Sequence, residues 1–212
     1  MDTNEIKWLF FDVGGTLVDE KEAFRRRIRE TIAIQKALGN AYTEEQLERA
    51  MRASALSGRS YFRGAMQNIG LSPFAPYDAI GEKLYPEAKA VLKVLSEKYK
   101  LGIIANQPKG TETRLIQYGI RPYFSLILSS AEEGLEKPDT EIFLRSLDRA
   151  GCKPEETVMI GDRPDNDILP AKALGMKTVR IKQGLGGIMP VLIEAMQADH
   201  TIENLNELLD IL

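Results

Sequence analysis

Cysteine and histidine are almost absent from this chain of 212 residues, each occurring once, as Cys152 and His200. A single thiol excludes an intramolecular disulfide and a cysteine-based metal cluster within one chain, and it fits a reducing compartment. The lone histidine reads as part of a last short strand before a helix at 205–212, and takes no catalytic assignment. Long uncharged stretches are missing as well. None approaches the roughly 20 apolar residues that cross a bilayer, and Met1 to Lys7 carries no apolar run ahead of the first strand-like segment. No membrane partner and a cytoplasmic location are therefore expected. Charge of one sign is equally scarce: a net −3 over 28 basic and 31 acidic residues offers no footprint for nucleic acid. Arg25, Arg26, Arg27 and Arg29 form the local exception, read as a solvated helix face.

What is present is an ordinary globular composition, 43% hydrophobic and 28% charged, long enough for one α/β domain or a core with a modest insertion. Trp8 to Phe11 is a short apolar run closed by Gly14-Gly15, the pattern of a strand buried on both faces of a parallel sheet. Further strands are expected at 101–105, 126–128, 158–160 and 178–181, separated by helices near 87–99, 111–118, 140–150 and 167–174. That alternation implies right-handed βαβ units, a Rossmann-like α/β core. Charged helices at 23–38, 43–56 and 61–69 interrupt it, the second opening on the capping-box sequence Thr43-Glu-Glu-Gln46. Pro73 and Pro76 mark the return linker. The chain thus divides into a core, 1–18 and 84–212, and a small helical cap, 19–83.

In an open parallel sheet, ligands bind beyond the carboxyl ends of the strands. Those positions hold Asp12, Asn106, Asp162 and Asp167, with Lys137 a little after the third strand. Taken singly, an Asp there is commonly a helix cap and an Asn a turn; taken together they form a set.

The set resembles the haloacid dehalogenase superfamily in four motifs: Phe-Phe-Asp-Val-Gly-Gly-Thr-Leu at 10–17, Ile-Ile-Ala-Asn at 103–106, Glu-Lys-Pro-Asp at 136–139 and Gly-Asp-Arg-Pro-Asp-Asn-Asp at 161–167. The resemblance implies a phosphatase acting on a small phosphorylated metabolite through an aspartyl-phosphate on Asp12. It implies Mg²⁺ held by Asp12, the Gly14 carbonyl and Asp162, with Asp167 orienting the surrounding ligands. Lys137 offsets the acids and contacts the phosphoryl oxygens, while Gly15, Thr16 and Asn106 bind the rest. The chemistry agrees, because a carboxylate attacking an anionic phosphoryl group needs positive charge to offset repulsion.

Two positions depart from that pattern. Most phosphatases of the superfamily carry a second Asp, the proton shuttle, where this chain has Gly14, and a hydroxyl where it has Ala105. Asp19 and Asp165 are the candidate replacements for the shuttle, and Gly14→Asp is expected to restore it. The gap also admits a metal-independent 2-haloacid dehalogenase or a noncatalytic phosphate-binding relative. Against the dehalogenase, Asp162 and Asp167 would crowd Asp12 with no cation between them. Asp-Val-Gly-Gly-Thr resembles the phosphate loop of actin-like sugar kinases as well, but helical sequence follows it here in place of a hairpin. Arg59, Tyr61, Phe62 and Arg63 are the cap residues proposed for substrate contact, and Gly184-Leu-Gly-Gly187 reads as a flexible connection.

Overall fold

The computed structural model describes residues 5–212. Its strands are β1 (Trp8–Phe11), β2 (Val18–Asp19), β3 (Lys83–Leu84), β4 (Lys100–Ala105), β5 (Phe124–Ser129), β6 (Thr157–Gly161), β7 (Lys177–Ile181) and β8 (His200–Ile202). Six of them form one sheet in the order β5-β4-β1-β6-β7-β8, with every pairing parallel. This is the α/β Rossmann-like architecture that the alternation predicts.

The central strand β1 consists of four large apolar side chains because both faces of the sheet are covered. Leu9 and Phe11 enter one cluster with Val91, Leu92 and Ile103, whereas Trp8 and Phe10 enter another with Phe143, Leu147 and Met159.

Between β2 and β3 lie α1 (Lys21–Ala37), α2 (Glu44–Leu56) and α3 (Arg63–Asn68). They enclose a core of their own, including Ile28, Leu47, Met51, Phe62 and Met66. Thr43 and Gln46 make the expected capping box at the start of α2, with Gln46 N donating to Thr43 Oγ1 at 3.2 Å and Thr43 N to Gln46 Oε1 at 2.8 Å. The two short strands pair antiparallel, Val18 opposite Leu84 and Asp19 opposite Lys83, so the chain leaves the core and returns to it at adjacent points.

The remaining helices are α4 (Ala88–Ser96), α5 (Thr111–Gln117), α6 (Ser130–Glu133), α7 (Thr140–Ala150), α8 (Leu169–Ala173) and α9 (Leu208–Ile211). Residues of α4, α5 and α9 cover the Leu9 face; α7 and α8 cover the Trp8 face. The helix expected from Asp167 begins instead as one wide turn, Pro164–Ile168, before α8. No described helix is long and apolar enough to cross a membrane.

The arginine run is not uniformly solvated. Arg25, Arg26 and Arg29 pair with exposed acids such as Glu22 and Glu30. Arg27 turns inward: its guanidinium lies 3.6 Å from the ring centroid of Phe62, and its Nε donates to Ala75 O at 2.9 Å. At 3.6 residues per turn, Arg27 adjoins the buried Ala23, Ile28 and Thr31 of α1.

Candidate active site

Asp12 follows β1, Asn106 follows β4 and Asp162 follows β6, so strand ends from the middle of the sheet deliver three of the predicted residues to one place. The loop after α6 brings Lys137. These four line a small cavity of about 80 Å³ together with Gly14 and Asp167.

Lys137 is the buried hub of this cavity. Its Nζ donates to Asp12 Oδ1 at 2.7 Å, Asp167 Oδ1 at 2.6 Å and Ile104 O at 2.8 Å. An ammonium has three hydrogens to donate, so all are engaged, and a direct bond to a phosphoryl oxygen requires one of these to be exchanged. Asn106 fixes the same residue by a reciprocal pair: Nδ2 donates to Lys137 O at 2.8 Å and Lys137 N donates to Asn106 Oδ1 at 2.7 Å. One hydrogen of the Asn106 amide is left for an anion. Arg163 N donates to Asp167 Oδ2 at 2.9 Å, which completes that carboxylate.

Asp162 is different. Both of its carboxyl oxygens are buried and have no hydrogen-bond partner. Burial pushes this carboxyl well above the ordinary range, and the neighbouring Asp167 and Asp12 push it further. Burial also raises Asp12, against the pull of the Lys137 ammonium. Oxygens of Asp12, Asp162 and Asp167 all lie within 4.8 Å of one another. A buried charge without a partner is strongly unfavourable. An all-oxygen donor set of this kind suits a hard divalent cation, which would relieve both the orphaned carboxylate and the mutual repulsion.

Glycines make the approach possible. A Cβ on Gly15 would stand 2.5 Å from Asp162 Oδ2, and one on Gly186 would stand 2.5 Å from Asp162 Cγ. Gly15 also has a φ of +70° in the tight loop closed by its N–H to Val18 O at 2.8 Å. Thr16 is fully buried with an unpartnered hydroxyl and does not line the small cavity. The Gly184–Gly187 segment, expected to be a flexible connection, is held: Arg180 Nη2 donates to the carbonyls of Gly186, Gly187 and Met189 at 3.1, 3.2 and 2.7 Å.

The small cavity adjoins a larger cleft of about 560 Å³ lined by Phe24, Ile28, Met51, Arg52, Tyr85 and Leu185 among others. Tyr61, Asp162 and Glu20 line both. Of the four cap residues singled out from sequence, Tyr61 alone is in place. Phe62 lies in the helical core, Arg59 donates to Asn68 Oδ1 at 2.8 Å, and neither arginine lines either of these two cavities. Asp165 is clamped by Arg163 at 2.6 and 3.0 Å, away from the small cavity. Asp19 accepts from Lys21 N at 2.9 Å and lines only the larger cleft.

Glu20 has no signature in sequence. It is half-buried beside Gly14, and the loss of water around it pushes its carboxyl up to about 8. Tyr77 Oη lies 2.7 Å from Glu20 Oε1 and 2.5 Å from Glu82 Oε1. A phenol donates one hydrogen, so both contacts are hydrogen bonds only when one of the carboxyls is protonated. Glu82 has its other oxygen accepting from Tyr118 Oη at 2.7 Å and facing Arg114 Nε at 3.9 Å.

Fold and site together define a Rossmann-like α/β protein whose parallel strands converge on an acidic cluster. The family model for haloacid dehalogenase-like hydrolases matches residues 6–175, and the chain belongs to that family. It is 33% identical to a glyceraldehyde 3-phosphate phosphatase from Methanopyrus kandleri over 227 aligned positions, covering 97% of each protein. A protein of the same description from Methanocaldococcus jannaschii is 43% identical over 129 residues, 60% of this chain and 55% of that one. Among solved structures, a HAD phosphatase from Thermococcus onnurineus superposes with a TM-score of 0.71 at 26% identity, covering 97% of both chains.

Proposed function

We propose that this chain is a Mg²⁺-dependent phosphatase hydrolysing a small phosphomonoester, with Asp12 as nucleophile and residues 19–83 as a cap over the core of 1–18 and 84–212. The observation that carries the reading is the convergence of Asp12, Asp162 and Asp167 around a single ammonium, with Asp162 buried and unpartnered. A metal-free dehalogenase would keep three buried acids against one lysine.

Asp12, Asp162 and the Gly14 carbonyl would hold the cation. When bound, it supplies charge stabilisation to the phosphoryl oxygens as a Lewis acid. Everything else falls to the chain itself. Asp12 attacks phosphorus, forming the aspartyl-phosphate that water then cleaves. Lys137 offsets the charge brought together on Asp12 and the phosphoryl group, and holds Asp12 Oδ1 in line. The free Asn106 N–H takes a further oxygen, and the backbone N–H groups of Gly15 and Thr16, which donate to Val18 O at 2.8 Å and Val13 O at 3.3 Å, exchange those bonds to serve the rest. The organic part of the substrate occupies the larger cleft. Its apolar wall, with Arg52 and Lys21 at the rim, suits a small phosphorylated metabolite. The names of the relatives make a three-carbon sugar phosphate the first substrate to try. A cytoplasmic setting accords with such a metabolite.

The test is hydrolysis of 4-nitrophenyl phosphate by purified protein, with Mg²⁺ and with chelator, beside Asp12→Asn. Metal-dependent turnover that falls by on the order of 10⁴ or more in the variant is expected. Full activity of the folded variant would remove Asp12 from the mechanism.

A further inference from the structure

Breaking an alkyl phosphate needs a proton twice, once delivered to the departing alkoxide and once removed from the attacking water. The small cavity is lined by four carboxyls, Asp12, Glu20, Asp162 and Asp167. Under the phosphatase reading, on which this inference rests, three already have work. Asp12 attacks, Asp162 faces the cation, and Asp167 is tied to Lys137 and the Arg163 N–H. Glu20 is the one left over.

Its position matches the missing task. Glu20 stands where the small cavity opens into the larger cleft. A bound phosphomonoester has its phosphorus against Asp12 and its organic part in that cleft, so its bridging oxygen falls at this junction. The backbone has made room there. A Cβ on Gly14 would lie 2.5 Å from Glu20 Cδ and 2.7 Å from Oε1, so the Glu20 carboxyl fills the space that any side chain at 14 would occupy. Tyr77 fixes Oε1.

We propose that Glu20, reaching in from the start of α1 over Gly14, is the catalytic acid and base of this site. In the first step the Asp12 Oδ–P bond forms, the P–O bond to the leaving group breaks, and the Glu20 proton passes to that oxygen, releasing an alcohol. In the second step the Glu20 carboxylate takes a proton from water as its oxygen bonds to phosphorus. The Asp12 Oδ–P bond breaks, inorganic phosphate leaves, and Glu20 is again protonated. Tyr77 acts as a positioning residue. Gly14→Asp in the native background must therefore displace the Glu20 carboxyl, the far end of a flexible side chain, to bring in its own.

The experiment compares glyceraldehyde 3-phosphate, whose leaving alkoxide needs the proton, with 2,4-dinitrophenyl phosphate, whose leaving group does not. Glu20→Gln is expected to lower kcat on the sugar phosphate by about 10²–10⁴-fold. On the aryl ester it should release a burst of dinitrophenol equal to the enzyme, followed by slow turnover, with phosphate retained on Asp12 after an acid quench. Loss of activity on both esters alike without a burst, or unchanged turnover of the sugar phosphate, overturns the assignment. Gly14→Asp placed in Glu20→Ala, where the space is vacated, should recover sugar-phosphate turnover; a folded double variant as impaired as Glu20→Ala counts against it. If the native enzyme hydrolyses neither ester, or Asp12→Asn still hydrolyses both, the phosphatase reading itself falls.

Discussion

Arg180 Nε donates to the carbonyl of Asp162 at 3.3 Å, and the same guanidinium grips the loop whose Gly186 abuts the Asp162 carboxyl. One buried arginine therefore sets the back of the acidic cluster and the loop that closes over it, although it lines neither cavity itself.

Arg180→Leu should destabilise the protein by at least about 2 kcal/mol, because it strands buried carbonyls at 186, 187 and 189. Urea unfolding checks the figure. An unchanged midpoint would mean that water satisfies those carbonyls and that the loop needs no anchor.

Lys137→Met should cost about 3–5 kcal/mol, since it leaves Asp12 and Asp167 buried with no opposite charge. Added Mg²⁺ should restore part of that stability by replacing some of the lost positive charge. Denaturation with and without the ion reads both effects, and a loss below about 1 kcal/mol would show that the acids are already neutral.

Asp162→Asn moves in the opposite direction. Without metal it removes one of three crowded acids and should raise Tm. Saturating Mg²⁺ should stabilise the native chain, by about 2.7 kcal/mol at a hundredfold excess over Kd, and leave the variant unmoved. A thermal melt with and without Mg²⁺ decides it; equal stabilisation of both would place the ion elsewhere.

Much of the core can be read from sequence because its causes are local. Trp8 to Phe11 is apolar at every position since each residue meets one covered face or the other. Asp12, Asn106 and Asp162 are placed by their being next after a strand, which needs only the strand to be recognised. Glu20 resists such reading. Beside Asp19 it looks like one more acid before a helix, and its hydrogen-bond partner, Tyr77, comes 57 residues later. Arg27 is masked in the same way by the charged residues around it, because the rings it packs on arrive from Phe62 and Phe74. Gly186 looks like slack in the chain until Arg180 and Asp162 are brought beside it.

The ribbon of Val18 against Leu84 has an evolutionary consequence. Where two strands leave and return side by side, a tight turn can join them, and everything from 20 to 82 can be exchanged for another segment without reopening the sheet. Glu20 and Glu82 sit at the two ends of that exchangeable stretch, bridged by Tyr77 from within it. On the assignment made above, a swap that changed the substrate would carry off the acid as well. Specificity and proton delivery would then be inherited as one cassette, and a glycine at 14 would mark lineages that received it.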